Sequence, residues 1–221
     1  MMNTPTSPQL DAEIFSRLFS ETYHQFDLRE GTAINSAGVR VIYLSSDIVR
    51  GIYEALHYEA GDAWKLILEN SGYLWGKHMF ESLIKEIQAV SQKNLESLPA
   101  SDYLHVLETY FSMHGWGKAK IHLQDAPFGI IRVRMTHSLF ADALNNVDDR
   151  VDAMIAGMLR GFFEKVSGGQ SLGCVETACV RRNAAPYCEF LISGMDRISK
   201  LRHLIDDEVS PEKILEQLRI L

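Results

Sequence analysis

The residues with most chemistry in them are Val175-Glu176-Thr177-Ala178-Cys179, followed after a polar connection by Pro186-Tyr187-Cys188-Glu189-Phe190. They set one carboxylate and two thiols at the facing ends of two strand-like segments. A hairpin brings such groups together, and zinc takes thiolate sulfur and carboxylate oxygen at about 2.0–2.3 Å. An ion there would clip a loop otherwise held by a few ladder bonds. It would also keep both thiols ionised, so its occupancy falls with acid. Two other readings of the same residues stand beside this one. Cysteine is among the most often buried residue types and packs as a small hydrophobe. Cys179 and Cys188 could also form a cross-strand disulfide, which a reducing cytosol disfavours.

The elements that must position these groups are strands with a residue period of two. Lys118 to Gln124 and Gly129 to Met135 alternate across an Asp125-Ala126-Pro127 connection, and Ser171 to Cys179 and Tyr187 to Ser193 make the second pair. A helix from Asp149 to Val166 lies between the pairs and ends at Ser167-Gly168-Gly169. Upstream, the spacing predicts a helix from Leu10 to Phe26 and a strand from Val39 to Leu44. A helix started by Ser45-Ser46-Asp47 and stopped at Gly61 follows, then a long one from Ala63 to about Val90 and a shorter one from Ser101 to Met113. Gly72 and Gly76 lie four apart inside the long helix, each at a cost of about 1 kcal/mol against Ala, which predicts a close neighbour at that turn. From Asp196 the tail is helical, with Ser210-Pro211-Glu212 opening the last helix. Helices come first, then antiparallel strands interrupted by one helix. The predicted class is α+β, helices packed on a four-stranded antiparallel sheet, rather than α/β.

The composition bounds the function. In 221 residues, 22 Lys+Arg against 29 Asp+Glu give a net charge of −7, which excludes a strongly basic nucleic-acid binder and disfavours anionic lipid surfaces. The 10 Phe, 8 Tyr and 3 Trp are spread along the chain and supply a core. No apolar run approaches the ~20 residues of a membrane span. The stretch from Met1 to Gln9 has neither the basic nor the apolar region of a signal peptide, and three cysteines are an odd number for a secreted disulfide scaffold. The expected location is cytoplasmic.

The hairpin residues Glu176, Cys179, Tyr187, Cys188 and Phe190 resemble the signature of the four-vinyl-reductase domain family, related in fold to subunits of the TRAPP vesicle tether: Glu-x-x-Cys, a polar turn, then Cys beside aromatics. Less specifically, Val39 to Leu44, Gly51, Gly61, Gly72, Gly76, Gly157 and Gly161 fall where such domains place their first strand and glycine-marked helices. The resemblance covers roughly Ala33 to Met195. It implies an N-terminal helix extension over 1–30, a ligand-binding domain over 31–195 and a helical tail over 196–221. Two departures matter. The turn of eight residues, Val180 to Tyr187, looks one longer than usual, with Asn183-Ala184-Ala185 where Gly-Asp is common. Zinc-binding, aromatic-sensing members take a further Cys from the preceding helix, and the corresponding residue here is Asp152. Aspartate also ligates zinc, so the resemblance implies the metal set Glu176, Cys179, Cys188 and Asp152. Cys174, on the same strand face as Glu176, is the other candidate for the last place.

Such domains look like binding modules for flat or elongated hydrophobic molecules: phenols in transcriptional sensors, an acyl chain in the tether subunits, pigments in bacteriochlorophyll-associated and cyanobacterial photosystem-associated members. The pocket positions implied are Met113 or His114, Met135, Ala156 and Cys174. Trp75 and Trp116 add large aromatic surface, as they would to any packed core, and His78 and His114 are the candidate axial ligands of a porphyrin. Small Ala156 and the thiol of Cys174 would widen the site beyond a single ring, which points to a tetrapyrrole, a bilin or chlorophyll precursor, handled during photosystem II assembly. Homodimerisation and a protein partner are part of the same implication. The alternatives are a dimeric scaffold without ligand and an accessory subunit of a vinyl-tetrapyrrole reductase. Catalysis by the chain itself is disfavoured. It has no Gly-x-Gly-x-x-Gly after a strand, no phosphate loop, and too few cysteines for a four-Cys iron–sulfur cluster.

Overall fold

The computed structural model describes residue 16 and residues 23–35, 38–90, 100–182 and 185–221. The chain divides into two units, one of residues 1–43 with 81–114, the other of residues 44–80 with 115–221.

In the first unit, Asp27 accepts hydrogen bonds from the backbone amides of Arg29 and Glu30 at 2.9 and 3.1 Å. Gly31 follows with a φ of 62°. This turn folds β1 (His24–Asp27) onto β2 (Thr32–Asn35), and β2 pairs in turn with β3 (Arg40–Val41), all antiparallel. The helix expected from Leu10 to Phe26 is therefore corrected at its end, where His24–Asp27 is strand. Asx-turn chemistry outweighs the helical spacing of Phe26. Residues 10–15 and 17–22 of that expectation lie outside the described residues. The unit also holds α3 (Ala100–Met113) and the part of α2 (Trp64–Val90) from Glu81 onward. At its centre the buried carboxylate of Glu86 accepts hydrogen bonds from Tyr23 at 2.5 Å, Asn35 at 2.8 Å and Tyr110 at 3.2 Å. Burial holds this carboxyl above its ordinary pKa despite the donors, and drives both phenols far up as well.

The second unit is built on a four-stranded antiparallel sheet in the order β4-β5-β7-β6: β4 (Lys118–His122), β5 (Ile131–Thr136), β6 (Leu172–Ala178) and β7 (Cys188–Gly194). Strand alternation gives the sheet two faces. Val175 and Leu191 turn to one side, where Ile198, Leu201, Ile214, Leu215 and Leu218 of the tail bury against them. The tail helices are α6 (Met195–Ser199), α7 (Arg202–Asp206) and α8 (Pro211–Ile220). Cys174, Glu176, Cys188 and Phe190 share the other face.

α5 (Ala153–Val166) packs on β6 and meets the first half of α2 through glycines on both helices. A Cβ on Gly72 or Gly76 would come within 2.0 or 2.1 Å of the Met154 or Met158 carbonyl, and one on Gly157 or Gly161 within 2.0 or 2.1 Å of Glu69 or Tyr73 carbonyls. The backbones touch where side chains would stand, the close neighbour that the glycine pair predicts. α1 (Ser46–Ala60) follows Ser45 and stops at Gly61. The short α4 (Leu139–Ala143), with Phe140, Ala141 and Ala143 buried, has no counterpart in the sequence reading, because five residues are too few to show a helical period. The helix expected to start at Asp149 starts at Ala153 instead. Asp149 spends its side chain on the backbone amide of Arg150 at 2.7 Å and on Lys65 at 2.7 Å.

Candidate functional site

Two strands and a helix start supply four donors to one place. β6 and β7 pair in regular register from Leu172↔Gly194 to Glu176↔Phe190, and then Ala178, not Thr177, pairs with Glu189. The extra residue is a bulge, which turns the residues after it away from the simple alternation. Just past it, Cys179 and Cys188 approach with their sulfurs 4.0 Å apart. Asp152 occupies the N-cap position of α5, beneath the same strands. Its backbone amide donates to Glu176 Oε2 at 3.2 Å, and the Ser138 hydroxyl donates to its Oδ1. The donor atoms of Asp152, Glu176, Cys179 and Cys188 all lie within 4.8 Å of one another, and all four residues are buried.

The quartet suits a tetrahedral dication. Two sulfurs at the ordinary 2.3 Å from zinc stand about 3.8 Å apart at a tetrahedral angle, close to the separation found. Asp152 Oδ2 and Glu176 Oε1 are buried with no hydrogen-bond partner among the described residues, so the remaining oxygens are available. Electrostatics point the same way. Burial pushes the Asp152 carboxyl up to about 6, and burial, with Asp152 and Cys179 adding to it, holds Glu176 well above the carboxylate range. The Cys188 thiol donates to Cys179 and draws it down to about 5, while its own ionisation is pushed far up. One thiolate, one thiol and two reluctant carboxyls crowd together. A bound dication inverts that logic and favours all four in their ionised forms.

Cys174 lies outside the quartet. It is buried on β6, its thiol is pushed up by burial, and with Ala156 of α5 it walls a cavity of 240 Å³ that Glu176 also borders. Of the other expected ligand contacts, Trp75 and Trp116 pack on each other at a tilt of 55°, with ring centroids 4.3 Å apart. Met135 is fully buried opposite Cys188 in the β5–β7 ladder and touches the turn at Gly117. His78 is exposed on α2. Met113 and His114 belong to the first unit, where the His114 ring packs 4.2 Å from Tyr110, bonds the Tyr110 carbonyl through Nδ1 at 2.8 Å, and is lowered in pKa by burial. Within the second unit, then, Ala156 and Cys174 share one cavity, and Trp75 and Trp116 form a separate contact. Sequence reasoning gave no role to Ser138 or Arg150. The first orients Asp152 and the second lines the cavity, and neither stands in a motif that could have marked it.

No protein-family model matches the chain, and no curated protein matches it in sequence. Solved structures match in fold. The phenol-responsive sensory domain of the transcription activator PoxR, solved with phenol, superposes with a TM-score of 0.66 at 15% identity, over 90% of this chain and 98% of that one. A trafficking protein particle complex subunit 3 from Naegleria fowleri, covalently bound to palmitic acid, gives 0.50 at 14% identity over 67% of this chain and 93% of that one. A vinyl-4-reductase family protein from Methanocaldococcus jannaschii gives 0.44 at 12% identity over 69% and 83%. The first two define the class: the chain has the α+β fold that sensory domain and tether subunit share. No helix among the described residues is long and apolar enough to cross a membrane.

Proposed function

We propose that the chain is a non-catalytic module that holds a small apolar-bodied molecule in the cavity walled by Ala156 and Cys174, with a zinc ion clipping the hairpin beside it. The observation that carries this reading is the double position of Glu176. It is one of the four clustered donors and also part of the cavity wall, so a guest and the metal address the same strand. The likeness to a sensory domain solved with phenol supports the same kind of guest. A volume of 240 Å³ lies below the range of about 300–1,000 Å³ of drug-sized sites. That favours one or two rings over the tetrapyrrole suggested by the small Ala156 and the Cys174 thiol, and with it a role outside pigment handling. The residues that hold the ion are Asp152, Glu176, Cys179 and Cys188, and its chemistry is structural, because it ties β6, β7 and the start of α5 together. A second copy of the chain and a protein partner that reads the bound state complete the proposal.

The test is calorimetric titration of zinc-loaded protein with phenol, other one- and two-ring aromatics, biliverdin and protoporphyrin. Visible absorbance reads the pigments, and light scattering reads the mass of the intact chain. One- or two-ring compounds should bind with one site per chain while the pigment spectra stay unchanged. A pigment bound in preference to every smaller compound would overturn the size argument, and no binding at all would leave a scaffold.

A further inference from the structure

A second cavity, of 580 Å³, lies in the tail between the end of α6, α7 and α8. On α8, Ile214, Leu215 and Leu218 are spent on the core, and the neighbouring stripe of Lys213, Glu216 and Gln217, continued by Leu221, forms one bank. From Lys213 to Leu221 the helical rise gives about 12 Å of groove. Lys200, Leu201, His203 and Leu204 form the other bank, and Val209 closes the turn between them, its amide donating to the Leu204 carbonyl at 2.9 Å. Leu201 is buried, and Leu204 and Val209 are partly buried against the core, so the floor is apolar. α7 divides this groove from the cavity at Ala156. It turns Arg202, Ile205 and Asp206 to that cavity, and His203 and Leu204 to the groove, as helical spacing allows.

The rim is basic in a chain whose net charge is −7. Lys200, His203 and Lys213 are exposed, and their side chains have no ion pair or hydrogen bond among the described residues. Other cations of the second unit are matched: Lys65 by Asp149, Arg134 by Glu189 and Arg219 by Asp125. Glu216 is the one acidic side chain on the wall. An apolar trough with unmatched cations on its rim complements an anionic head on an apolar tail. The tail takes the floor out of water, and the head meets ammonium groups that stay at the solvent edge. The volume falls within the range of about 300–1,000 Å³ of small-molecule sites, and the groove's length suits a chain better than a ring. We propose that this groove is a second binding site, which takes a medium-chain carboxylic acid with its chain along α8 and its carboxylate among Lys200, His203 and Lys213.

Calorimetric titration of the zinc-loaded full chain tests it, comparing octanoate and decanoate, dispersed as monomers, with octanol, decanol and decyltrimethylammonium. The acids should bind at least tenfold more tightly than the alcohols, decanoate more tightly than octanoate, and the cation not at all. Methyl resonances of Leu204, Val209 and Leu221 should shift on adding decanoate while that of Ala156 stays in place, a reading that needs no variant. Lys200→Gln combined with Lys213→Gln should remove the preference for acids, and both side chains are exposed, so the fold should survive. Alcohols binding as tightly as the acids, a shift at Ala156 in place of the groove, or an undiminished preference in the double variant would overturn the proposal. So would attachment to phosphatidylglycerol vesicles without binding of the dispersed acids, which would make the groove a lipid-surface contact. The reading of the first cavity stands or falls separately, on its aromatic guests.

Discussion

Asp152 is the residue that sets this site's character. It brings a second carboxylate into a buried cluster that already holds Glu176, and its pKa is raised from 3.8 to about 6 chiefly by burial. The sign of the consequence follows from proton linkage. Between those two values the folded, metal-free protein holds a proton at Asp152 that the unfolded chain has lost, so this residue's contribution to stability falls as pH rises through the interval and stays low above it. Asp152→Asn removes the buried charge while keeping the shape. The metal-free variant should therefore melt higher than wild type above pH 6 and differ little below pH 4. Added zinc should raise the melting temperature of wild type far more than that of the variant, and thermal melts over pH 4–8 with and without zinc check both statements. Glu176, Cys179 and Cys188 were legible in the sequence because a hairpin announces its own pairing. Asp152 emerged only by aligning the helix start to a known pattern. Arg150 and Ser138 could not emerge, since what distinguishes them is a place in a cavity wall and a contact made across the fold.

At the scale of elements, the second unit depends on two helices meeting backbone to backbone. Gly72 and Gly76 on α2 face Met154 and Met158, while Gly157 and Gly161 on α5 face Glu69 and Tyr73. Gly72→Ala would set a methyl 2.0 Å from a carbonyl oxygen, so the helices must part and the packing of α5 on β6 loosens with them. The expected cost is about 1–3 kcal/mol, as for overpacked cores. Gly51 is the contrast: it lies inside α1, exposed, and a methyl added there would meet nothing within 4 Å. Gly51→Ala should stabilise by about 0.5–1 kcal/mol through helix propensity and a less free unfolded chain. Urea unfolding of the two variants should give opposite signs, and equal effects would show that the glycine contact is not tight. Here the sequence showed that something must approach the glycines but not what, because a gap left by a missing side chain names no partner. The β1–β2 hairpin was misread for the opposite reason. Helical spacing of large apolar residues persisted into a segment whose turn was set by Asp27 and Gly31.

At the scale of the whole molecule, the second unit is a sheet with one face for the tail and the other for α5 and the donor quartet. Leu218 of α8 is fully buried against the first face. Leu218→Ala should cost about 2–4 kcal/mol in urea unfolding and leave zinc affinity nearly unchanged, since its cavity opens on the far side of the sheet. The four strands, their two antiparallel pairs and the helical tail could be expected from periodicity and the short connections, whereas the order that sets β5 beside β7 could not. The division of α2 between two units could not, because one uninterrupted apolar stripe serves both. The central claim is that Asp152, Glu176, Cys179 and Cys188 hold one ion between them. X-ray absorption on protein loaded with a single equivalent of zinc measures this directly. Two sulfur neighbours at about 2.3 Å and two oxygen neighbours at about 2.0–2.2 Å are expected, with the sulfur signal lost in a Cys179→Ser, Cys188→Ser double variant. A shell of nitrogen and oxygen alone, or zinc that washes away from the unaltered protein during desalting, would contradict it.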